Sequence, residues 1–122
     1  MTKVLMIEDE TTLREEIVEL LTFDGYEAFG AEEGQTGIAS ALDDHPDVIL
    51  CDVSMPGLDG YAVLRELRAN PATAAIPFIF MSARAGHNDI DEGMKVGANG
   101  YLTKPFYHKD LIGAIEACIA NK

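Results

Sequence analysis

Basic residues are scarce in this sequence: 9 lysines and arginines stand against 21 aspartates and glutamates, a formal charge of −12 at pH 7. Such a surface repels phosphate backbones and anionic membranes, which excludes direct nucleic-acid binding and favours metal cations and basic protein patches as partners. Cysteine is rare as well. Cys51 and Cys118 form no CxxC or Cys/His pattern, and their apolar surroundings read as reduced core thiols of a cytosolic protein. No apolar run is long enough to span a bilayer, and "MTKVLMIEDE" reaches acids too early for a signal peptide, so the expected location is cytoplasmic, off the membrane. Linkers, repeats and low-complexity segments are missing too. The 122 residues leave no room for a second folded domain, and 48% hydrophobic with 25% charged residues is the balance of an ordinary globular unit, expected over residues 1–122.

What is present is an alternation of short apolar runs with longer helix-period segments, the pattern of βα units around a parallel sheet. Strands are predicted at 3–7, 26–30, 47–51, 77–81 and 100–103, and those around Leu5, Ile49 and Ile79 are nearly continuous in hydrophobes, as central strands covered on both faces require. Five helical stripes fall between and after them. Leu13, Ile17, Leu20 and Leu21 make the first, opened by a capping box from Thr12 to Glu15; Ile38, Ala41 and Leu42 make the second; Leu64 and Leu67 the third. Ile90 and Met94 with a stop at Gly97 make the fourth, and Leu111, Ala114, Ile115 and Cys118 the fifth. The fold expected from this order is a doubly wound α/β domain, whose ligands bind beyond the carboxyl ends of the strands.

Those strand ends carry polar groups. The first ends in Glu8, Asp9 and Glu10, the third in Asp52, the fourth in Ser82, and the fifth runs into Thr103, Lys104 and Pro105. Taken singly, acids after a strand are commonly a solvated loop, a serine there a cap and a lysine a solvated residue. In a parallel sheet, however, all of them share one rim. Two like charges about 4 Å apart repel by roughly 4 kcal/mol at an effective dielectric near 20, so Glu8, Asp9 and Asp52 need a cation. Mg²⁺ suits such oxygen donors, whereas the scattered His45, His87 and His108 offer zinc no cluster. With Lys104 to neutralise a phosphoryl oxygen and the Ser82 hydroxyl to donate to another, the set reads as a phosphoryl-transfer site with Asp52 as nucleophile. Pro105 permits a cis Lys104-Pro105 peptide that would aim the lysine inward.

From "KVLMIEDE" through "DVILCDVSMPGLDG" and "FIFMSA" to "GANGYLTKPF", the chain resembles the receiver domain of two-component response regulators over essentially its whole length. The resemblance implies a flavodoxin-like, five-stranded parallel sheet in the order 2-1-3-4-5 with five helices, the order of the family's chemotaxis member. It implies that Asp52 accepts a phosphoryl group from the phosphohistidine of a sensor histidine kinase or phosphotransfer domain. Asp9 and Asp52 would then ligate Mg²⁺, or Mn²⁺ in its place, with Glu8 acting through water and Ser54 through its backbone carbonyl. Lys104 would contact the phosphoryl group, Ser82 would move toward it, and Tyr101 would be the aromatic whose rotation reports phosphorylation. Ser54 and Arg84 occupy positions that tune dephosphorylation in the family.

The output face implied is the fourth helix, fifth strand and fifth helix, contacted by an effector, an output domain or a second copy. No output domain is expected within this chain, and the only reactions it would catalyse are its own phosphotransfer and dephosphorylation. Two rival readings fit less well. Aspartate-dependent phosphohydrolases generally place the nucleophile after the first strand with a second Asp two residues on, where Ser54 stands after Asp52 here; a flavin carrier needs a first loop that cradles phosphate, which "EDETT" repels.

Overall fold

The computed structural model describes residues 1–83 and 87–120. Along the chain run β1 (Lys3–Ile7), α1 (Thr11–Phe23), β2 (Glu27–Ala31), α2 (Gly34–Asp44), β3 (Val48–Asp52), α3 (Gly60–Ala69), β4 (Phe78–Ser82), α4 (His87–Lys95), β5 (Gly100–Thr103) and α5 (His108–Ala120). The strands form a five-stranded parallel sheet in the order β2-β1-β3-β4-β5. This is the doubly wound arrangement expected from the residues, in the flavodoxin-like order that the family resemblance implies.

Burial follows position in the sheet. Every residue of β3 and β4 is buried, as are all of β1 but Lys3, while the edge strands β2 and β5 are mostly half-buried or exposed. Alternation sends Leu5, Ile7, Ile49, Cys51, Phe78 and Phe80 into one core, shared with Val63, Leu64 and Leu67 of α3. Val4, Met6, Val48, Leu50, Ile79 and Met81 face the other, shared with Ile17 and Leu21 of α1 and Leu111, Ile115 and Cys118 of α5. Both cysteines are free and buried, as predicted. No helix among the described residues is long and apolar enough to cross a membrane.

Strands β1 and β5 span the residues predicted, and β2, β3 and β4 lie one residue further along than expected. Three details of the helices differ more. The capping box at Thr12 does not form, because α1 starts at Thr11 behind Glu10, leaving Thr12 within the first turn. Working caps sit elsewhere: the Asp59 carboxylate accepts the Ala62 N–H at 2.9 Å, and the Thr36 hydroxyl accepts the Glu33 N–H at 3.3 Å. Leu42 and Met94, read as core, are 36% and 43% exposed, because each stands at the solvent edge of its stripe.

The two-core arrangement sets the cost of truncation. Phe78→Ala, which empties a fully buried site beside the Phe80 ring, should lower unfolding free energy by about 3–5 kcal/mol in urea titrations. Phe23→Ala, at an 89% exposed position, should stay within about 0.5 kcal/mol of the parent.

Candidate functional site

Ladder hydrogen bonds carry one residue past the ends of three strands and so fix the rim. The Glu8 N–H donates to the Ala31 carbonyl at 3.0 Å, the Val53 N–H to Met81 at 3.0 Å, and the Lys104 N–H to Ser82 at 2.7 Å. The last of these sets the lysine backbone directly against Ser82, and the Lys104-Pro105 peptide that follows is cis. Helix α3 approaches closely behind the rim. A Cβ on Gly60 would lie 2.5 Å from the Asp52 carbonyl oxygen, so only glycine lets α3 start there, and its N–H donates to the Val53 carbonyl at 2.8 Å.

The side chains converge as the strand ends predicted. Glu8, Asp9 and Asp52 offer carboxylate oxygens within 4.8 Å of one another, with Glu8 and Asp52 buried and Asp9 exposed. The Lys104 ammonium lies 2.9 Å from Glu8 Oε1 and 3.3 Å from Asp52 Oδ2. The other Glu8 oxygen accepts the Glu10 N–H at 3.2 Å. Ser82 is buried at the end of β4, and Ser54 lines a cleft of about 380 Å³ with Val53, Met55, Pro56, Asp59 and Tyr61. Tyr101 is half-buried on β5, its ring centroid 6.1 Å from that of Phe80. Arg84 lies outside the described residues.

Charge and burial shape the acid–base behaviour. Partial desolvation, hydrogen bonding with Glu8 and the Glu8 charge hold the Asp9 carboxyl above its ordinary 3.8, against the pull of its own backbone and of Lys104. Burial alone would lower the Lys104 ammonium, but the hydrogen bond to Glu8 and the charges of Asp52 and Glu8 reverse this and hold it above its ordinary 10.5. It therefore stays charged at neutral pH. Cys51, next to Asp52, is pushed well above 9.0 by burial and by the neighbouring acids, which makes it an inert thiol.

Two residues of this site have no counterpart in the sequence reading. Arg14, on the first turn of α1, donates from Nη1 to the Glu8 carbonyl at 2.8 Å and ties the acidic loop back to the helix. The spacing of six residues from Glu8 into a helix start is its one sequence signal. Gly60 is the other, legible only as the residue after an N-capping Asp59.

The donor set is all oxygen, with two carboxylates buried and one open to solvent, which fits a hard divalent cation that retains several waters. Residues 4–116 match the family described as response regulator receiver domain. The chain belongs to that family. Protein PilG of Pseudomonas aeruginosa is 38% identical to the receiver domain over 119 residues, which cover 98% of this chain and 88% of PilG. PhoB, the phosphate regulon transcriptional regulatory protein of the same organism, is 35% identical over 95% of this chain, but the chain spans only 51% of PhoB. Among solved structures, the chemotaxis protein CheY4 of Vibrio cholerae superposes with a TM-score of 0.91 at 30% identity, covering 97% of this chain and 98% of that one. The receiver domain of the Pseudomonas aeruginosa sensor histidine kinase PA1611, described with a magnesium ion coordinated in its active site cleft, gives 0.89 at 31% identity and 98% coverage of both chains.

The pKa directions predict opposite effects for two substitutions in EDTA. Because the Asp9 pKa is raised on folding, its ionised form costs stability above the folded pKa and costs nothing below 3.8. Asp9→Asn should therefore melt higher than wild type at pH 7, and the difference should close as the pH falls toward 3.8. Lys104 is the reverse: its raised pKa contributes stability below 10.5 that is lost as the pH rises through the folded value. Lys104→Met leaves Glu8 buried without its cation and should cost about 2–3 kcal/mol at pH 7, below the roughly 3–5 of a fully buried pair.

Proposed function

We propose that Asp52 is the phosphoacceptor of this receiver domain and that Lys104, Ser82 and the acids of the β1–α1 loop serve its phosphorylation. One observation carries this reading: a single ammonium bridges Asp52 and Glu8 while Asp9 completes a three-carboxylate cluster at the same strand ends. A carboxylate oxygen of Asp52 attacks the phosphorus of a kinase or phosphotransfer-domain phosphohistidine. The P–N bond breaks with its electron pair going to the imidazole nitrogen, and the phosphoryl group ends on Asp52. Lys104, already 3.3 Å from Asp52, then faces the new phosphoryl oxygens, and the Ser82 hydroxyl is drawn toward them.

Asp9, Asp52 and the Ser54 backbone carbonyl would hold Mg²⁺, or Mn²⁺ in its place. Glu8 would act through water, which accords with its two oxygens being taken by Lys104 and the Glu10 N–H. When bound, Mg²⁺ supplies the positive charge that offsets the carboxylates and the incoming phosphoryl oxygens. Hydrolysis of the acyl phosphate by this same site returns the domain to rest, at a rate tuned by Ser54 and Arg84.

The switch runs from Ser82 to Tyr101 and on to the face of α4, β5 and α5, where an effector, an output domain or a second copy binds. A two-state population shift describes it. Residues 1–122 act as one receiver unit in the cytoplasm, where a net charge of −12 suits basic protein partners and disfavours nucleic acid.

Intact-mass spectra after incubation with acetyl phosphate test the acceptor. Wild type with Mg²⁺ should gain one phosphoryl group, and Asp52→Asn, or wild type in EDTA, should gain none; an equal gain in Asp52→Asn would move the acceptor elsewhere. Mg²⁺ at about 100 times its Kd should stabilise wild type by about 2.7 kcal/mol in melts, and a shift of equal size in Asp9→Ala would remove Asp9 from the metal site.

A further inference from the structure

The C-terminal end of α4 is held by more bonds than a helix end needs. Gly97 takes φ +106, and the Ala98 N–H donates to Gly93 at 3.4 Å while the Gly97 N–H donates to Met94 at 3.1 Å, a complete Schellman turn. Onto this turn reaches Arg68 from the last turn of α3. Its Nη2 donates to the Gly97 carbonyl at 3.1 Å and to Asn99 Oδ1 at 3.0 Å, and its Nη1 donates to the Ile76 carbonyl at 2.7 Å. Asn99 is locked in turn: its Oδ1 accepts the Phe78 N–H at 2.9 Å, and its own N–H donates to the Phe78 carbonyl at 2.7 Å. Among the described residues no carboxylate pairs with Arg68, so this half-buried cation is satisfied by carbonyl oxygens alone. The planar fork divides these three bonds between two nitrogens held in one plane, a geometry that lysine's single ammonium cannot reproduce.

Four residues before Gly97, α4 meets the sheet through a glycine. Gly93 is buried, and a Cβ there would lie 3.0 Å from the Phe80 ring and 3.1 Å from the Tyr101 ring, so the helix rests through bare backbone on the aromatic at the centre of the switch. Asp91, Glu92, Met94 and Lys95 are exposed.

We propose that Arg68 is the positioning residue that fixes the C-terminal end of α4, making this helix a lever hinged at Gly97 and pushed at Gly93 by Tyr101. The lever rests on the reading of Tyr101 as the switch aromatic; the hinge does not. At a rise of about 1.5 Å per residue, Gly93 lies about 6 Å from the hinge and the first helical residue about 15 Å, so a displacement under Gly93 grows about two and a half fold at the far end. The output face thus receives a tilt rather than a translation.

Amide exchange and amide chemical shifts, with and without beryllofluoride, test this in wild type, Arg68→Lys, Arg68→Met and the control Arg65→Met, an exposed site on the same helix. Without ligand, Arg68→Met should speed exchange at Ala98 and Asn99 by about tenfold while Leu50 and Ile79 of the central strands stay protected, with Arg68→Lys closer to Arg68→Met than to wild type. Acceleration at the turn and the central strands alike, or none at the turn, would overturn the hinge. With beryllofluoride, shift changes in wild type should grow from Gly97 back toward the start of α4, and in Arg68→Met they should spread through Asn99 and lose that gradient. A gradient unchanged in Arg68→Met would overturn the lever. Failure of wild type to bind beryllofluoride would instead sink the acceptor reading, and with it the drive from Tyr101, while the exchange comparison still decides the hinge.

Discussion

An ammonium shared between two carboxylates is the constraint on which the rim of this domain depends. Glu8 is 1% exposed, and an ionised carboxylate so placed costs several kcal/mol unless a cation meets it. Lys104 meets it at 2.9 Å and reaches Asp52 from the same position. With that pair in place, Glu8 can accept the Glu10 N–H, the β1–α1 loop can turn over the end of the sheet, and Asp9 can stand open to solvent. The site is thereby stable enough to exist and still short of positive charge. Three carboxylates answered by one lysine leave a net negative pocket, which suits a hard divalent cation.

The parallel sheet delivers these groups because it is buried on both faces. Apolar side chains occupy β1, β3 and β4 almost completely, so polar chemistry can appear only where the strands stop. Ladder bonds beyond the strand ends make those positions rigid, and Gly60 lets α3 close against Asp52 without displacing it. The order β2-β1-β3-β4-β5 places the acids of β1 and β3 beside each other and Ser82 beside the β5–α5 connection.

Much of this was legible in the residues. Hydrophobic runs located all five strands, and since the polar side chains follow those runs directly, Glu8, Asp9, Asp52, Ser82 and Lys104 could be assigned to one rim before any contact was known. The one-residue offsets at β2, β3 and β4 arise because strand ends are set by ladder bonds such as that from the Val53 N–H to Met81, which hydrophobicity does not record. Leu42 and Met94 looked like core because spacing fixes a helical face but not how far the neighbouring layer extends over it. Arg14 and Arg68 were invisible as structural residues for a related reason. Arg14 reaches a backbone carbonyl, and Arg68 two of them beside the Asn99 side chain 31 positions away; backbone carbonyls are present in every residue and carry no sequence signature.

The ion pair between Lys104 and Glu8 spans 96 positions of the chain. During synthesis the acids at the end of β1 therefore emerge long before the cation that answers them, and β1, β2 and β3 can assemble while Glu8, Asp9 and Asp52 still repel one another. Closing so long a loop is a late event, rewarded only once β5 has been made and docked. An interrupted chain that stops short of residue 104 is thus left with a charged, self-repelling rim.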